Sequence, residues 1–144
     1  MSVVLKFLRL PLAEKVLYAE ALPVVAFTGF ILRVVPFRFL RKSLVKRLSA
    51  DTMPRPADLA EIQKIVRSVN FFSRFHPFAS CLTRSLSALL LIKFNGEHAI
   101  LKIGVAKDED KSFKAHAWLE SNGRIIIGEL PSKSQYTVLD SFSG

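Results

Sequence analysis

The fold of this chain is decided by the stretch FKAHAWLESNGRIIIGE, residues 113–129. Two segments that suit β-strands flank Asn122-Gly123, the dipeptide most typical of a two-residue β-hairpin turn. We therefore predict one strand over residues 113–120 and a second strand over residues 124–129. The two strands would pair antiparallel across this turn.

The hairpin predicts that His116 lies directly opposite Glu129, because counting back from a two-residue turn pairs these two residues. The same count pairs Trp118 with Ile127 and leaves the indole beside the imidazole, where it would exclude water. Opposed residues share one face of a sheet, with Cβ atoms about 4.5–5.5 Å apart. A carboxylate at that distance holds the tautomer of a histidine and stabilises its imidazolium form. Asp140 is the second candidate for this carboxylate.

A nucleophile is predicted at Cys81, which is the single cysteine of the chain. Ser80 is a favourable N-cap for a helix over residues 81–94, and Asn95-Gly96 would end that helix. Unpaired N–H groups and the helix dipole at the first turn favour the thiolate, and Arg84 adds a positive charge. A thiol at a helix start and a His–carboxylate pair form the arrangement of cysteine hydrolases, whereas a lone buried cysteine is the structural alternative.

The remaining elements predict an α+β fold, because helices come first and one further helix then packs on an antiparallel sheet. We divide the chain into a basic, apolar helical region over residues 1–50 and a core over residues 51–144. The other predicted elements are a helix over 12–35 that is bent or interrupted near Pro23 and Gly29, helices from Phe37 and over 59–69, an irregular connection over 70–79, and strands over 101–106 and 136–139.

The cysteine and histidine content of the chain excludes several kinds of site. One cysteine excludes an internal disulfide and a multi-thiolate zinc site, and it favours a reducing cytoplasm. The three histidines lack paired metal spacing and no glycine-rich phosphate loop is present, so we predict neither a metal nor a cofactor. The other two histidines, His76 and His98, are predicted to be structural or surface residues.

The charge of the chain is concentrated near its start. Residues 1–56 carry ten basic and three acidic side chains, so this segment contributes +7 of the net charge of +9. Such a segment is either a solvated helix face or a surface for an acidic partner, a membrane or a nucleic acid. The longest apolar run, residues 21–32, contains Pro23 and is shorter than the roughly 20 residues of a membrane span. We therefore predict no span and leave peripheral membrane contact open.

Three segments carry a specific resemblance: CLTRSL at residues 81–86, LKIGV at 101–105 and FKAHAWLE at 113–120. They resemble the leader peptidases of bacterial lasso-peptide biosynthesis, which belong to the transglutaminase-like superfamily of cysteine hydrolases. The spacing of 35 residues between thiol and imidazole is also similar. The resemblance implies a papain-like core whose catalytic helix packs on the sheet, with Cys81 as nucleophile and His116 as general base.

The third member of the site is less closely matched. The family usually has an aspartate soon after the strand that follows the imidazole, and this chain has Glu129 near that place. A glutamate orients an imidazole as an aspartate does, but its extra methylene moves the carboxylate. Three arrangements stay open: Glu129 substitutes for the aspartate, Asp140 reaches in, or the site runs as a dyad.

The resemblance implies that the chain cuts a ribosomally made precursor peptide between its leader and its core through a thioester. It implies two protein partners, a separate leader-recognition protein and an ATP-dependent lasso cyclase, and no nucleic acid. The basic N-terminal helices would dock them. The alternatives are transglutamination or amide hydrolysis at the same residues, an inactive relative, and a non-catalytic basic binding module.

Overall fold

The computed structural model describes residues 3–48, 58–76, 80–107, 110–128 and 136–143. Helices come first and a four-stranded antiparallel sheet follows, so the predicted α+β class is confirmed. The elements are α1 (Val3–Leu8), α2 (Leu12–Val34), α3 (Phe37–Leu48), α4 (Leu59–Ser73), α5 (Cys81–Phe94), β1 (Ile100–Lys107), β2 (Phe113–Ser121), β3 (Arg124–Ile127) and β4 (Thr137–Ser143).

The sheet has the strand order β3-β2-β1-β4, with β2 and β1 at its centre. One face packs on α5, because Leu101, Ala117 and Leu119 share a buried cluster with residues of that helix such as Leu89. Successive side chains of a strand point to opposite faces. His116 and Trp118 therefore lie on the face of β2 that is turned away from this cluster.

The hairpin turn forms as predicted, but the ladder behind it is offset by one residue. Both turn residues have positive φ, 50° at Asn122 and 73° at Gly123, as a type I′ turn requires. Beyond the first two pairs, a β-bulge at Ile126 shifts the register, so Ile127 pairs with Leu119. The prediction that Ile127 faces Trp118 is therefore wrong, because the bulge places an extra residue on β3.

The helical part differs from prediction at two places. Helix α2 is continuous through Pro23 and Gly29, so the interruption predicted there as one alternative to a bend does not form. Helix α4 continues to Ser73, so the first residues of the predicted irregular connection are helical. Its last turn is held by ring contacts of Phe71 and Phe72 with Tyr18 of α2, at centroid distances of 5.5 and 6.0 Å.

The core lies between α2, α4, α5 and the sheet. Ala21 and Val25 of α2 are buried together with Ile65 of α4 and Ile92 of α5. Helix α2 therefore shares its core with the sheet-packing helix. The predicted boundary after residue 50 falls among residues 49–57, which lie outside the described part of the chain, so the division into two regions stays a prediction.

The length of α2 changes the argument about membranes. A single helix of 23 residues is, by length and composition alone, long and apolar enough to cross a bilayer. We predicted no membrane span because the longest apolar run, around Pro23, has only twelve residues. The helix continues through the proline, so its length no longer excludes a span. Of the most apolar part of α2, 28% is buried, and core helices of soluble proteins satisfy the same length and composition test.

Candidate active site

The candidate nucleophile occupies the first residue of α5. Ser80 caps this helix, since its Oγ accepts a hydrogen bond from the backbone N–H of Thr83 at 3.2 Å. The predicted cap and both predicted ends of the helix, Cys81 and Phe94, are confirmed. The Cys81 side chain is partly buried and packs against the central cluster. The thiol thus sits where a helix dipole stabilises negative charge.

A hydrogen bond fixes α5 against the strand that carries His116. The Ser85 hydroxyl, one turn after Cys81, donates to the backbone carbonyl of Ala117 at 3.3 Å. Ala117 directly follows His116 in β2. This buried contact holds the start of α5 close to the histidine-bearing segment. Within the described residues, no hydrogen bond joins the Cys81 thiol to the His116 ring itself.

The His116 ring is oriented by a backbone group. Its Nε2 lies 3.1 Å from the carbonyl oxygen of Gly128. A carbonyl only accepts, so Nε2 carries the hydrogen and donates it, and Nδ1 of the neutral ring is left as the acceptor. The tautomer of His116 is therefore set by the chain just beyond β3. Sequence reasoning assigned this role to a carboxylate and missed Gly128, because any residue type has a carbonyl.

The position of that carbonyl depends on glycine. Gly128 has a φ of 77°, a conformation that side chains disfavour. A Cβ built there would lie 2.7 Å from the carbonyl oxygen of Ala117 and 3.1 Å from Cα of Trp118. The backbone at this point lies directly against β2. A glycine that ends a strand is the signal in the sequence for such a close approach.

Replacing Gly128 by alanine is expected to destabilise the fold by about 1–3 kcal/mol, because a strained φ and a backbone clash are added together. The displaced carbonyl would also release the His116 ring. Urea unfolding measures the first effect, and the alkylation rate of the single thiol measures the second.

Gly96→Ala is the matched control, since Gly96 has a φ of 76° and a Cβ added there would meet nothing within 4 Å. It should cost less stability and leave the alkylation rate unchanged. Equal effects of the two substitutions on the alkylation rate would contradict the role of the Gly128 carbonyl.

Two aromatic side chains surround the imidazole. The Trp118 ring is stacked beside His116 at a centroid distance of 6.3 Å, and Tyr136 lies 5.7 Å from His116. Trp118 is 3% exposed. It lies over the bare backbone of Gly104, where a Cβ would come within 2.9 Å of its ring. These rings exclude water from one side of the imidazole. Tyr136 was not singled out from the sequence.

The indole is itself held by a charged pair. Trp118 Nε1 donates to one carboxylate oxygen of Glu120 at 2.8 Å, and the Lys102 ammonium group lies 2.8 Å from the other. Burial alone would raise the pKa of Glu120, but the hydrogen bonds from Lys102 and Trp118 outweigh it and hold that pKa below its usual value of 4.5. The Lys102–Glu120 pair therefore supports the aromatic side of the site.

Replacing Glu120 by glutamine is expected to lower the free energy of unfolding by about 1 kcal/mol at neutral pH, because the charge of a partly exposed pair is lost while a similar shape is kept. A lowered pKa stabilises the fold above the unfolded-state value and loses that effect as the pH falls through the folded-state value. The difference from wild type should thus shrink below a pH of about 4.5.

Urea unfolding at neutral and acidic pH measures this difference. Glu61→Gln serves as the control, because the Glu61–Lys64 pair within α4 is more exposed and is expected to matter little. A difference between wild type and Glu120→Gln that stays constant down to low pH would contradict the assignment.

Of the two candidate acidic residues, only Asp140 lies in the described part of the chain. Glu129 lies outside the described residues, one position after Gly128. Asp140 belongs to β4, where its backbone pairs with Ile103 of β1, so β1 separates it from β2. The role of either carboxylate stays a prediction. Of the other histidines, the His76 ring packs on Gly29 of α2.

The family of this chain is established by a match to a family model. A family model described as the transglutaminase-like superfamily matches residues 24–141, from within α2 to within β4. The chain belongs to the transglutaminase-like superfamily. This superfamily typically comprises cysteine hydrolases and acyltransferases, and the match confirms the sequence-based resemblance at that level. A search of curated proteins and a search of solved structures each gave no significant match.

The transglutaminase-like match includes every element described above around the site. It covers Cys81 at the start of α5, His116 in β2 and the Gly128 carbonyl that holds the imidazole. Acyl transfer by such a chain requires a thiol, a base and a group that fixes the base. The described residues supply these three groups on α5, on β2 and directly after β3, with His116 on the face of β2 turned away from the α5 cluster.

Proposed function

We propose that this chain is a cysteine peptidase that removes the leader from a ribosomally made lasso-peptide precursor. The observation that carries the proposal is a capped helix start bearing Cys81, joined through the Ser85–Ala117 hydrogen bond to the strand whose His116 has its Nε2 tied to the Gly128 carbonyl. The three segments that resemble lasso leader peptidases lie on α5, β1 and β2, which pack together. A cytoplasmic location, where precursors are made, is part of the same proposal.

The chemistry begins with proton transfer from the Cys81 thiol to Nδ1 of His116. The thiolate then attacks the carbonyl at the leader–core junction, and the Cys81 backbone N–H donates to the oxyanion. Collapse forms a thioester with the leader, while His116 gives its proton to the departing amine of the core peptide. His116 next activates water, which hydrolyses the thioester and releases the leader as a carboxylate.

Because His116 lies on the face of β2 that is turned away from the cluster around Cys81, these steps require the start of α5 and the imidazole to move toward each other when the substrate binds. Catalytic hydrogen bonds are often long or unformed without substrate and tighten in the Michaelis complex. The free Nδ1 of His116 is the atom suited to this approach, because Nε2 is already engaged with Gly128. We assign the supporting carboxylate to Glu129, which follows Gly128 directly in the chain.

The proposal includes a partner on the N-terminal helices. Leu22, Phe27 and Phe30 of α2 are 54%, 66% and 59% exposed, and basic residues follow them in α3. An exposed apolar patch beside basic charge suits a protein surface with an apolar centre and an acidic rim. We assign this surface to a separate leader-recognition protein, and the ATP-dependent cyclase would take the core peptide afterwards.

Complex formation tests the docking assignment. Neutralising Arg38, Arg41 and Lys42 together should weaken binding of the leader-recognition protein, and Phe30→Ser should do the same without a change of charge. Unchanged affinity in both variants would overturn the assignment. Binding of the wild type to vesicles of anionic lipid, with no binding to the protein partner, would replace it by a membrane contact.

The reaction is tested by mixing the chain with its precursor peptide and the leader-recognition protein and weighing the products. We expect a free leader that carries one heavy oxygen when the reaction runs in heavy-oxygen water, and a core with a free amino terminus. Omission of the partner should slow this release. An intact precursor after incubation with the partner would overturn the proposal.

Acyl transfer is the second candidate, because the superfamily includes acyltransferases as well as hydrolases. An added primary amine would then capture the thioester in preference to water. We expect the hydrolysed leader to dominate. A leader amide as the main product would favour transfer. A non-catalytic basic module would instead bind nucleic acid with an affinity that falls steeply with salt, and no cleavage would accompany it.

A further inference from the structure

A polar cavity lies between the end of α4 and the start of α5, the helix that carries Cys81. Its volume is about 430 Å³, and it is lined by Asn70, Ser73, Arg74 and Arg84. The first three belong to the last turn of α4 and its C-cap, and Arg84 belongs to the first turn of α5. The lining thus combines two guanidinium groups with a hydroxyl and an amide.

The polar groups around this cavity are short of partners. In the described part of the chain, four buried side-chain atoms lack a hydrogen bond, and three of them belong to residues that line the cavity. The four atoms are Asn70 Oδ1, Ser73 Oγ, Arg84 Nε and, one turn further along α5, Ser87 Oγ. Native proteins rarely leave buried polar atoms unpaired. These atoms are enclosed as the side chains stand, so a ligand in the cavity would pair with them once the side chains rotate toward it.

We propose that the cavity binds an acidic residue of a peptide, through its carboxylate and its backbone amide. The carboxylate would accept hydrogen bonds from Arg84 Nε and Ser73 Oγ, with Arg74 adding a second positive charge. Asn70 Oδ1 is an acceptor and needs a donor, which the peptide N–H supplies. A fully ionised inorganic anion supplies acceptors only. The mixed set of groups therefore favours a peptide over a free anion.

The place of the cavity gives it a role in substrate choice, and this step rests on the proposed function. Arg84 follows Cys81 by three residues on one helix, a rise of about 4.5 Å. An extended peptide advances about 3.3–3.6 Å per residue. A carboxylate in the cavity thus belongs to a residue within about three positions of the bond at Cys81. The cavity would select precursors with an acidic group there.

Binding is measured first, with no cleavage required. The full chain is titrated by calorimetry with tripeptides that carry a central glutamate, a central glutamine or a free terminal carboxylate, their other termini being blocked, and with inorganic sulfate. We expect the glutamate or the terminal-carboxylate peptide to bind and the glutamine peptide to bind at least tenfold more weakly. The stronger of the two acidic peptides identifies the source of the carboxylate.

The variants then assign the contacts. Arg84→Gln should weaken the acidic peptide about ten- to hundredfold, as expected for a lost hydrogen bond to a charged group. Arg84→Lys, which keeps the charge, tests the same contact if the glutamine variant fails to fold. Asn70→Ala should weaken the peptide but leave sulfate unchanged, because sulfate has no hydrogen to donate to Asn70 Oδ1. Arg67→Gln, on an exposed residue of α4 that does not line the cavity, is the control and should bind as wild type does.

Several results would overturn the proposal. Equal binding of sulfate and acidic peptide, unaffected by Asn70→Ala, would make the cavity a general anion site. No binding of any probe would leave it filled by water only. Cleavage of precursors without preference for a nearby acidic residue would remove its role in specificity while leaving the peptidase proposal standing. If the chain binds acidic peptides but never cleaves a precursor, the binding proposal stands and the peptidase proposal fails.

Discussion

Replacing Cys81 by alanine is expected to lower the rate of precursor cleavage by about 10⁴-fold or more. The thioester route needs the sulfur, and loss of a nucleophile that acts as one unit with its base removes nearly all of the chemical acceleration. The residual rate would come from binding alone. Single-turnover release of the leader, followed by mass spectrometry, measures the effect directly.

The control for this variant is its stability. The Cys81 side chain is only partly buried, so alanine removes little packing, and the melting curve should stay close to that of wild type. Cys81→Ser preserves the shape and polarity of the site and should be nearly as inactive, because a hydroxyl is a far weaker nucleophile at neutral pH. Cleavage by Cys81→Ala within tenfold of the wild-type rate would refute the nucleophile assignment.

Replacing His116 by alanine is expected to slow cleavage by about 10²–10⁴-fold, the usual contribution of a general base. The same substitution should slow alkylation of Cys81 by iodoacetamide at a fixed pH below about 7, because the imidazole no longer takes the thiol proton. The chain has one cysteine, so the alkylated mass reports on this thiol alone.

His98→Ala is the matched control for the imidazole. His98 precedes β1, and its backbone carbonyl, which the substitution retains, accepts a hydrogen bond from the Ser121 hydroxyl. We expect its alkylation and cleavage rates to match those of wild type. Similar losses in the two histidine variants would show that His116 has no special relation to the thiol.

Local signals explain which elements the sequence predicts well. Ser80 and Asn95-Gly96 delimit α5 at both ends, because capping depends on residues within one turn of the helix end. The Asn122-Gly123 turn is similarly local. The bulge at Ile126 is not, since Ile125, Ile126 and Ile127 are identical β-branched residues and no polar alternation marks which of them faces the core.

Tertiary contacts explain the elements that the sequence predicts poorly. The end of α4 is helical where Phe71 and Phe72 meet Tyr18, a residue more than fifty positions away. Proline propensity predicts a break in α2, but packing of that helix against α4 and α5 prevails. A pattern within one segment contains no information on such contacts.

The same difference between local signals and tertiary contacts explains which parts of the candidate site the sequence predicts. Cys81 and His116 are distinguished by their side chains and their local settings, so sequence reasoning finds them. The Gly128 carbonyl and the cavity beside Arg84 depend on how distant segments meet, and only the fold reveals them. The Glu129 assignment depended on a register that the bulge alters, and it now rests on its adjacency to Gly128.

The burial of α2 has a practical consequence for handling this protein. Ala21 and Val25 fill the same interior as the helix that begins at Cys81, although they come early in the chain. A fragment that starts after residue 50 would expose that interior to water and should aggregate or stay unfolded. A minimal expression fragment must therefore begin before Leu12, and affinity tags are better placed ahead of α1 than within the N-terminal helices.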